Sequence, residues 1–487
     1  MVGRENKVGT ALLIDFGSTY TKVVAVDMDD GTLLAGATSL TTIATDITLG
    51  MEEAVAKIEE RLGGKCQFHP KLACSSAAGG LRMIAIGLVP DFTVEAARRA
   101  ALGAGARVLG AYAYELTKEE LSLLEKEPGD IILLAGGTDG GDKKVLLHNA
   151  RFLARSRINV PIILAGNKVV APEAARILRE SGKDVRVTKN VMPELGELNI
   201  EPARDTIRQV FMEKIVEAKG LQRAEAFVDG GILMPTPAAV LAGARLLADG
   251  VPGEEGIGEL MVIDVGGATT DVHSVAEGKP RRSRTIVRGL PEPRAKRTVE
   301  GDLGLRVSAL SLLESAGKER VQENIGVDVN VEAMISRLSF ELGWLPETPT
   351  DWALDRGMAV TAVEKAVARH VGTLREFCTP TGQYFIQEGK DLTGVGYVLA
   401  TGGIFVHLEN PREVLARAFA QNQNPLVLQP TTPQFLLDRH YILWAAGLLG
   451  EIAPRQALGF MKKSIDWQEP AVAKTYHGSH RRFSLIN

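Results

Sequence analysis

The sequence predicts an α/β protein of two related lobes, with a further α/β segment inserted in the first. Three observations lead there: short β-rich apolar runs alternate with longer helical patterns, two hairpin-like segments repeat in register, and an apolar run ending in Gly-Gly follows each of them. Glycine, at 51 residues, gathers at the ends of the apolar runs, where turns are needed.

The runs at 11–15, 22–26, 131–134, 162–164, 261–264 and 397–400 read as strands. Helical periodicity is read at 54–62, 93–104, 204–218 and 436–450. The internal repeat appears when residues 12–26 are laid on 261–275 at an offset of 249, so that LLIDFGSTYTKVVAV faces MVIDVGGATTDVHSV. Ile14, Asp15, Gly17, Thr21, Val23 and Val26 then match Ile263, Asp264, Gly266, Thr270, Val272 and Val275. Apolar matches come easily by chance; an Asp, a Gly and a Thr in one register do not. The apolar run ending at Leu134-Ala135-Gly136-Gly137 is read as the first-lobe partner of Ala400-Thr401-Gly402-Gly403. The expected organisation is a first lobe at 8–255 carrying an α/β insertion at about 138–250, a second lobe at 256–450, and a C-terminal tail at 451–487. Within the insertion, 160–165 and 185–187 read as strands and 172–180 as a helix.

Composition narrows the function classes. With 487 residues, 45% hydrophobic, and no uncharged apolar run of about 18 residues, no membrane span is expected. The opening MVGRENKVGT has neither an apolar core nor a small-residue cleavage site, so a cytoplasmic protein is expected. Fifty-six basic against 60 acidic side chains give a net charge of −4 and no global field for nucleic acid. The basic cluster of Lys474, His477, His480, Arg481 and Arg482 reads as a solvated tail. Cys66, Cys74 and Cys378 form no C-x-x-C and leave an odd count, which argues against a disulfide framework or a single-chain metal cluster.

In Asp15-Phe16-Gly17-Ser18-Thr19-Tyr20-Thr21-Lys22 a strand ends in Asp, Gly lets the chain turn close to a ligand, and hydroxyl donors follow before the next strand begins. Such a hairpin presents consecutive N–H groups to an anion, and its carboxylate is useful beside phosphates only when a divalent cation intervenes. Asp264-Val265-Gly266-Gly267-Ala268-Thr269-Thr270-Asp271 repeats the device. One hairpin of this kind is more often an ordinary tight turn; two in register point to a phosphate gripped from both sides. Phosphoryl chemistry then requires positioned N–H dipoles, a metal ion, and a carboxylate to orient water. The Asp-Phe-Gly triplet lacks the catalytic-loop motif of a protein kinase, and neither a P-loop nor a strand-linked G-x-G-x-x-G is present. Gly402-Gly403 fits a turn that lets the backbone approach a nucleoside. Asp139, in a glycine-rich stretch, either caps the following helix or lines the cleft.

Two phosphate motifs and a Gly-Gly adenosine turn resemble those of the actin-like ATPase superfamily, whose two lobes are duplicated ribonuclease H-like domains. That resemblance implies ATP and Mg²⁺ as ligands. It places Gly17, Ser18, Thr19, Thr21 and Lys22 in the first phosphate loop, and Gly266, Gly267, Ala268 and Thr269 in the second. Asp15, Asp264 and Asp271 would surround the metal through water, with Asp15 and Asp264 catalytic, and Gly402, Gly403 and Ile404 would meet the nucleoside. Beyond the superfamily, the stretches SSAAGGLRM, ILLAGGTDGGDKK, KRTVEGDLGLR and VLATGGIF resemble the MutL/GlmL family of glutamate mutase accessory proteins, over about residues 10–450. The resemblance implies an ATP-hydrolysing, chaperone-like factor that reactivates an adenosylcobalamin-dependent mutase or aminomutase by exchanging damaged cobalamin. A small-molecule phosphotransferase of the same fold is the alternative, with Glu300 and Asp302 as candidate bases or as an exposed turn. An electron-transfer activator would need cluster cysteines in glycine-rich loops, which Cys66, Cys74 and Cys378 do not occupy. A scaffold or filament protein without hydrolysis completes the set.

Overall fold

The computed structural model describes residues 9–17, 20–42, 46–76, 81–215, 226–229, 231–341, 344–380, 382–421 and 424–467. Strands β1 (Thr10–Phe16), β2 (Tyr20–Asp27) and β3 (Leu33–Leu40) form an antiparallel meander. β4 (Lys71–Ser75) runs parallel to β1 on its other side. Between β4 and the last strand of this sheet comes a separate parallel sheet: β5 (Arg82–Gly87), β6 (Arg107–Ala113), β7 (Ile131–Leu134), β8 (Ile162–Leu164) and β9 (Val185–Val187). β10 (Ile232–Pro235) then returns to β4, giving the order β10-β4-β1-β2-β3.

A two-stranded ribbon, β11 (Gly250–Val251) and β12 (Glu254–Glu255), leads into the second lobe. There β13 (Leu260–Val265) and β14 (Thr270–Val275) pair antiparallel. β15 (Thr285–Arg288), β17 (Thr373–Thr379) and β18 (Gly382–Glu388) make a small side sheet. β16 (Ala295–Glu300), β19 (Tyr397–Thr401) and β20 (Gln434–Leu437) complete the order β16-β14-β13-β19-β20. The sheets β10-β4-β1-β2-β3 and β16-β14-β13-β19-β20 thus each join an antiparallel meander to two parallel strands in the same order. That is the ribonuclease H-like arrangement, and its duplication makes the two-lobed, actin-like ATPase fold.

The repeat in the sequence becomes a repeat in the cores. Along β1, Leu12, Ile14 and Phe16 enter the core of the first lobe, whereas Ala11 and Leu13 enter a second core shared with the other lobe. Along β13, Met261, Ile263 and Val265 face the second-lobe core, and Leu260 and Val262 face the shared one. Each central strand is buried on both faces, which is why both read as continuous apolar runs rather than alternating ones. Helices Thr236–Asp249 and Leu443–Gly450 follow the last strand of each sheet and cross within the shared core. The crossing is close enough that a Cβ on Gly447 would collide with the Ala239 carbonyl, and one on Gly243 with that of Leu443.

Four expectations are corrected. The Gly136-Gly137 turn ends β7 in the separate sheet; the first-lobe counterpart of β19 is β4, because Asp15 stands beside Cys74 as Asp264 stands beside Thr401. The inserted sheet accordingly begins at Arg82, well before residue 138. The helix expected over 436–450 starts only at Leu443, since Gln434–Leu437 is the edge strand of the second sheet. Residues past 450 are not simply a tail: Pro454–Ser464 is a helix whose Ala457, Leu458, Phe460 and Met461 lie in the shared core. The basic cluster from Lys474 to Arg482 lies outside the described residues. No helix among the described residues is long and apolar enough to cross a membrane.

Candidate functional site

The two hairpins carry the same closing contact. Gly17 N–H donates to the Tyr20 carbonyl at 3.2 Å, and Gly266 N–H donates to the Thr269 carbonyl at 2.9 Å. Asp15 faces Lys22 across β1 and β2, and Asp264 faces Asp271 across β13 and β14, each pair at the same place in its hairpin. Ser18 and Thr19 lie outside the described residues. Thr21 is fully buried and its hydroxyl pairs with that of Thr41 at 3.1 Å, so in this arrangement it braces the hairpin from behind.

The three expected carboxylates differ in how they are held. Asp15 is wholly buried, bonded to Lys22 Nζ at 3.0 Å and to the Thr236 hydroxyl at 2.6 Å. Asp271 contacts Arg297 Nη2 at 2.6 Å and Nε at 2.9 Å, and accepts from the Thr269 hydroxyl at 3.0 Å. Asp264 is partly exposed, and the Tyr441 hydroxyl donates to it at a long 3.4 Å. Burial and the like charges of Asp271 and Asp438 push its carboxyl up to about 7, against the opposing pull of Lys22. It is the least satisfied of the three.

Tyr441 joins the lobes. Its phenol is raised well above the ordinary value by burial and then by Asp264, Asp15, Asp438 and Asp271, and Lys22 Nζ stands 4.0 Å from its ring centroid. Its backbone has a φ of 50°, uncommon for a residue with a side chain. Asp438 sets up this turn: fully buried, it accepts from Ile442 N–H at 2.8 Å and from Thr401 Oγ1 at 3.0 Å, holding the helix start at Leu443 beside β19. Tyr441, Asp438, Thr236 and Arg297 were not legible as site residues, because each meets its partner only through the tertiary fold.

Gly402 has a φ of 107°, and a Cβ there would collide with the Val265 carbonyl and lie 2.9 Å from Asp264 Oδ1. Nothing stands within 4 Å of where a Gly403 Cβ would lie. Ile404, one residue on, packs against the second-lobe core. Gly267 and Ala268 are exposed at the tip of the second hairpin, whose carbonyls are held from behind: Gly267 accepts from Arg306 N–H at 2.8 Å, and Ala268 from the Ser308 hydroxyl at 2.7 Å. The loop after β16 is thus the hairpin's buttress.

Glu300 and Asp302 are neither free bases nor an unpartnered turn. Arg369 binds Glu300 at 2.6 Å and Asp302 at 2.7 and 2.8 Å. Asp139 does not cap the helix Lys144–Arg155, where Asp142 accepts from Val145 N–H instead. It accepts from Lys168 N–H and Asn190 Nδ2 and lines a cavity of about 670 Å³ in the inserted sheet, with Ala171, Ala175 and Thr188. Cys74 is buried beside Asp15, Cys66 is half-buried and Cys378 is exposed, all as free thiols. Among the described residues no three His, Cys, Asp or Glu side chains gather to hold a metal ion directly.

The activator of the 2-hydroxyisocaproyl-CoA dehydratase from Clostridium difficile, solved with bound ADPNP, is 10% identical, covering 93% of this chain and 97% of its own, with a TM-score of 0.30. Gluconate kinase from Lactobacillus acidophilus is also 10% identical, over 95% and 93%, with a TM-score of 0.33. At scores this low neither likeness adds weight to the strand orders themselves. The sequence relationships are of another kind. Protein MutL of Clostridium tetanomorphum is 52% identical over 456 residues, which is 93% of this chain and 98% of the relative. The profile described as MutL protein matches residues 11–465, so that both lobes, the inserted sheet and the helix closing the shared core all lie within the match, and the chain belongs to the MutL protein family.

Proposed function

We propose that this protein binds and hydrolyses ATP between its lobes and uses the cycle to reactivate an adenosylcobalamin-dependent mutase or aminomutase of the glutamate mutase type, by exchanging damaged cobalamin. The observation that carries the nucleotide part is the duplicated hairpin, with one closing hydrogen bond and one strand-end carboxylate in each lobe. Gly17, Ser18, Thr19, Thr21 and Lys22 would serve one side of the phosphates, with Gly266, Gly267, Ala268 and Thr269 on the other. Gly402, Gly403 and Ile404 would meet the nucleoside, into the open space beside Gly403.

The donor set suits Mg²⁺, which keeps several waters and takes one or two carboxylates together with phosphate oxygens. Asp264, under-bonded and partly exposed, is the carboxylate able to face the ion. Asp15 and Asp271, already held by Lys22 and Arg297, would act on the ion's waters. When bound, the ion would neutralise charge on the transferring phosphoryl group. The chain's own residues fix the phosphates, exclude bulk water and orient the attacking one, with Asp264 and Asp15 as the groups in reach of it. The family relationship supports the accessory role, and the engagement of Glu300 and Asp302 by Arg369 leaves the phosphotransferase alternative without its expected bases.

A clamp with equal affinity for its partner in both nucleotide states shifts nothing, so the lobes must present different surfaces with ATP and with ADP. The test takes a mutase stalled by oxidised cofactor and adds this protein, Mg²⁺, fresh adenosylcobalamin and either ATP or a non-hydrolysable analogue. Repeated recovery with ATP alone is expected. Equal recovery with the analogue would overturn a turnover-driven mechanism. ATP consumption stimulated by a small acid or sugar, with no recovery of any mutase, would favour a phosphotransferase.

A further inference from the structure

We propose that Arg297 is a positioning residue that couples the second hairpin to the inserted sheet, so that occupancy of the cleft is felt at the helix Glu95–Gly103 and the strand after it. This rests on the nucleotide reading above and adds the route by which the bound state leaves the site. Four links are in place. The Thr269 hydroxyl, in the hairpin, donates to Asp271 Oδ2 at 3.0 Å. Asp271 Oδ1 is held by Arg297 through Nε and Nη2 at 2.9 and 2.6 Å. The third guanidinium nitrogen, Nη1, donates to the main-chain carbonyls of Leu102 at 3.2 Å and Ala106 at 3.0 Å. These carbonyls flank the turn between the end of that helix and β6, the edge strand of the inserted sheet.

The geometry makes the arginine more than a surface ion pair. It is 5% exposed, and a buried guanidinium is tolerated only when its donors are satisfied together. Here one planar fork is satisfied half by the second lobe and half by the first. A shift of Asp271 therefore cannot be absorbed by water and must be met by the carbonyls or by rotation of the fork. Thr269 supplies the input: a hydroxyl has one proton, and donating it to a phosphate oxygen removes it from Asp271. The helix that receives the signal is also attached to the second lobe at its rim, where Arg99 donates to the Pro291 carbonyl at 2.6 Å and pairs with Glu292 at 3.1 Å. It is therefore placed as a lever, held at its side and adjusted at its end.

Amide hydrogen exchange over residues 101–113 reads this coupling in the intact protein without nucleotide, with Mg·ADP and with a non-hydrolysable Mg·ATP analogue. In the wild type, protection of this segment should change at least about fivefold between the empty and the analogue-bound states, the lower end of ordinary coupling between sites. Arg297→Met should abolish that change while nucleotide binding, followed by calorimetry, persists; Arg297→Lys, which cannot serve both sides of the fork, should restore it only in part. An arginine that merely braced the fold would raise exchange equally in all states and leave the nucleotide-dependent change intact, which would overturn the inference. Should Arg297→Met fail to fold by circular dichroism, Arg297→Gln, which keeps a polar side chain in the buried site but cannot serve both sides of the fork, makes the same test. Nucleotide binding to the wild type with no change at 101–113 would overturn the coupling alone, whereas absence of any nucleotide binding would overturn the reading of the site as well.

Discussion

The two hairpins share a strand register and a closing hydrogen bond and differ in charge. At the position facing the strand-end carboxylate the first has Lys22 and the second has Asp271. The first hairpin is thus neutralised within itself, by the 3.0 Å pair of Lys22 with Asp15. The second borrows its cation from the next strand, as Arg297, and leaves Asp264 without a close one. The strand register and the closing hydrogen bond are the same in both, and divergence at one position left one carboxylate bonded within its own hairpin and the other without a close cation. The contrast is between a carboxylate closed off by its own lysine and one that is under-bonded and partly exposed.

The largest effect that would break this contrast is on turnover. Asp264→Ala should cost at least about 100-fold in ATP hydrolysis, the scale of losing one group that acts on developing charge, with circular dichroism and Tm little changed. Unchanged turnover in a folded variant would remove Asp264 from the mechanism. Asp15→Ala should in addition lower stability, by about 2 kcal/mol in urea denaturation, because it takes the acceptor from the buried Thr236 hydroxyl and the partner from the partly exposed Lys22. A stable Asp15→Ala protein would show that the first carboxylate is no more structural than the second.

Smaller effects sharpen the comparison of the strand ends that flank the hairpins. Gly402→Ala should destabilise by about 2 kcal/mol, since its φ of 107° and the Val265 carbonyl leave no place for a Cβ. Ser75, which follows Cys74 in the first lobe as Gly402 follows Thr401 in the second, carries a side chain without such a constraint. Gly403→Val should leave Tm unchanged and weaken nucleotide binding about tenfold by calorimetry, because its Cβ meets only open space in the protein. Wild-type affinity there would mean that the nucleoside lies elsewhere.

The smallest effect contrasts two lysines. Lys22 is partly exposed and paired, whereas Lys390 is wholly buried and its ammonium is lowered from 10.5 to about 7, by burial first and then by Lys296. Between those values the unfolded chain binds a proton that the folded state releases, so Lys390 makes stability rise with pH from about 7 to 10.5. Below that window its full penalty is present. Denaturation midpoints at pH 7, 8 and 9 should show a slope of up to roughly 1 kcal/mol per pH unit that Lys390→Met removes. An unchanged slope would place the titration elsewhere.

What the sequence determined by itself was local. The two hairpins, their strands and the helix at Ala171–Glu180 follow from turn chemistry and periodicity within a dozen or so residues, and the repeat at an offset of 249 showed that the device occurs twice. The match of Gly136-Gly137 with Gly402-Gly403 failed because a parallel strand carries no local mark of its neighbour. β4 and β7 are both short apolar runs, and only packing against β1 or β5 separates them. The helix Pro454–Ser464 reads as tail in the sequence because its apolar face acquires a partner only when both lobes are present. The same reason hid the residues that set the chemistry: Tyr441 reaches Asp264 across 177 positions, and Arg297 reaches Ala106 across 191. Strand pairing and side-chain charge at the site are decided by burial of surfaces far apart in the chain, which is why tertiary structure alone could show Asp15 closed off by Lys22 and Thr236 and Asp264 left under-bonded.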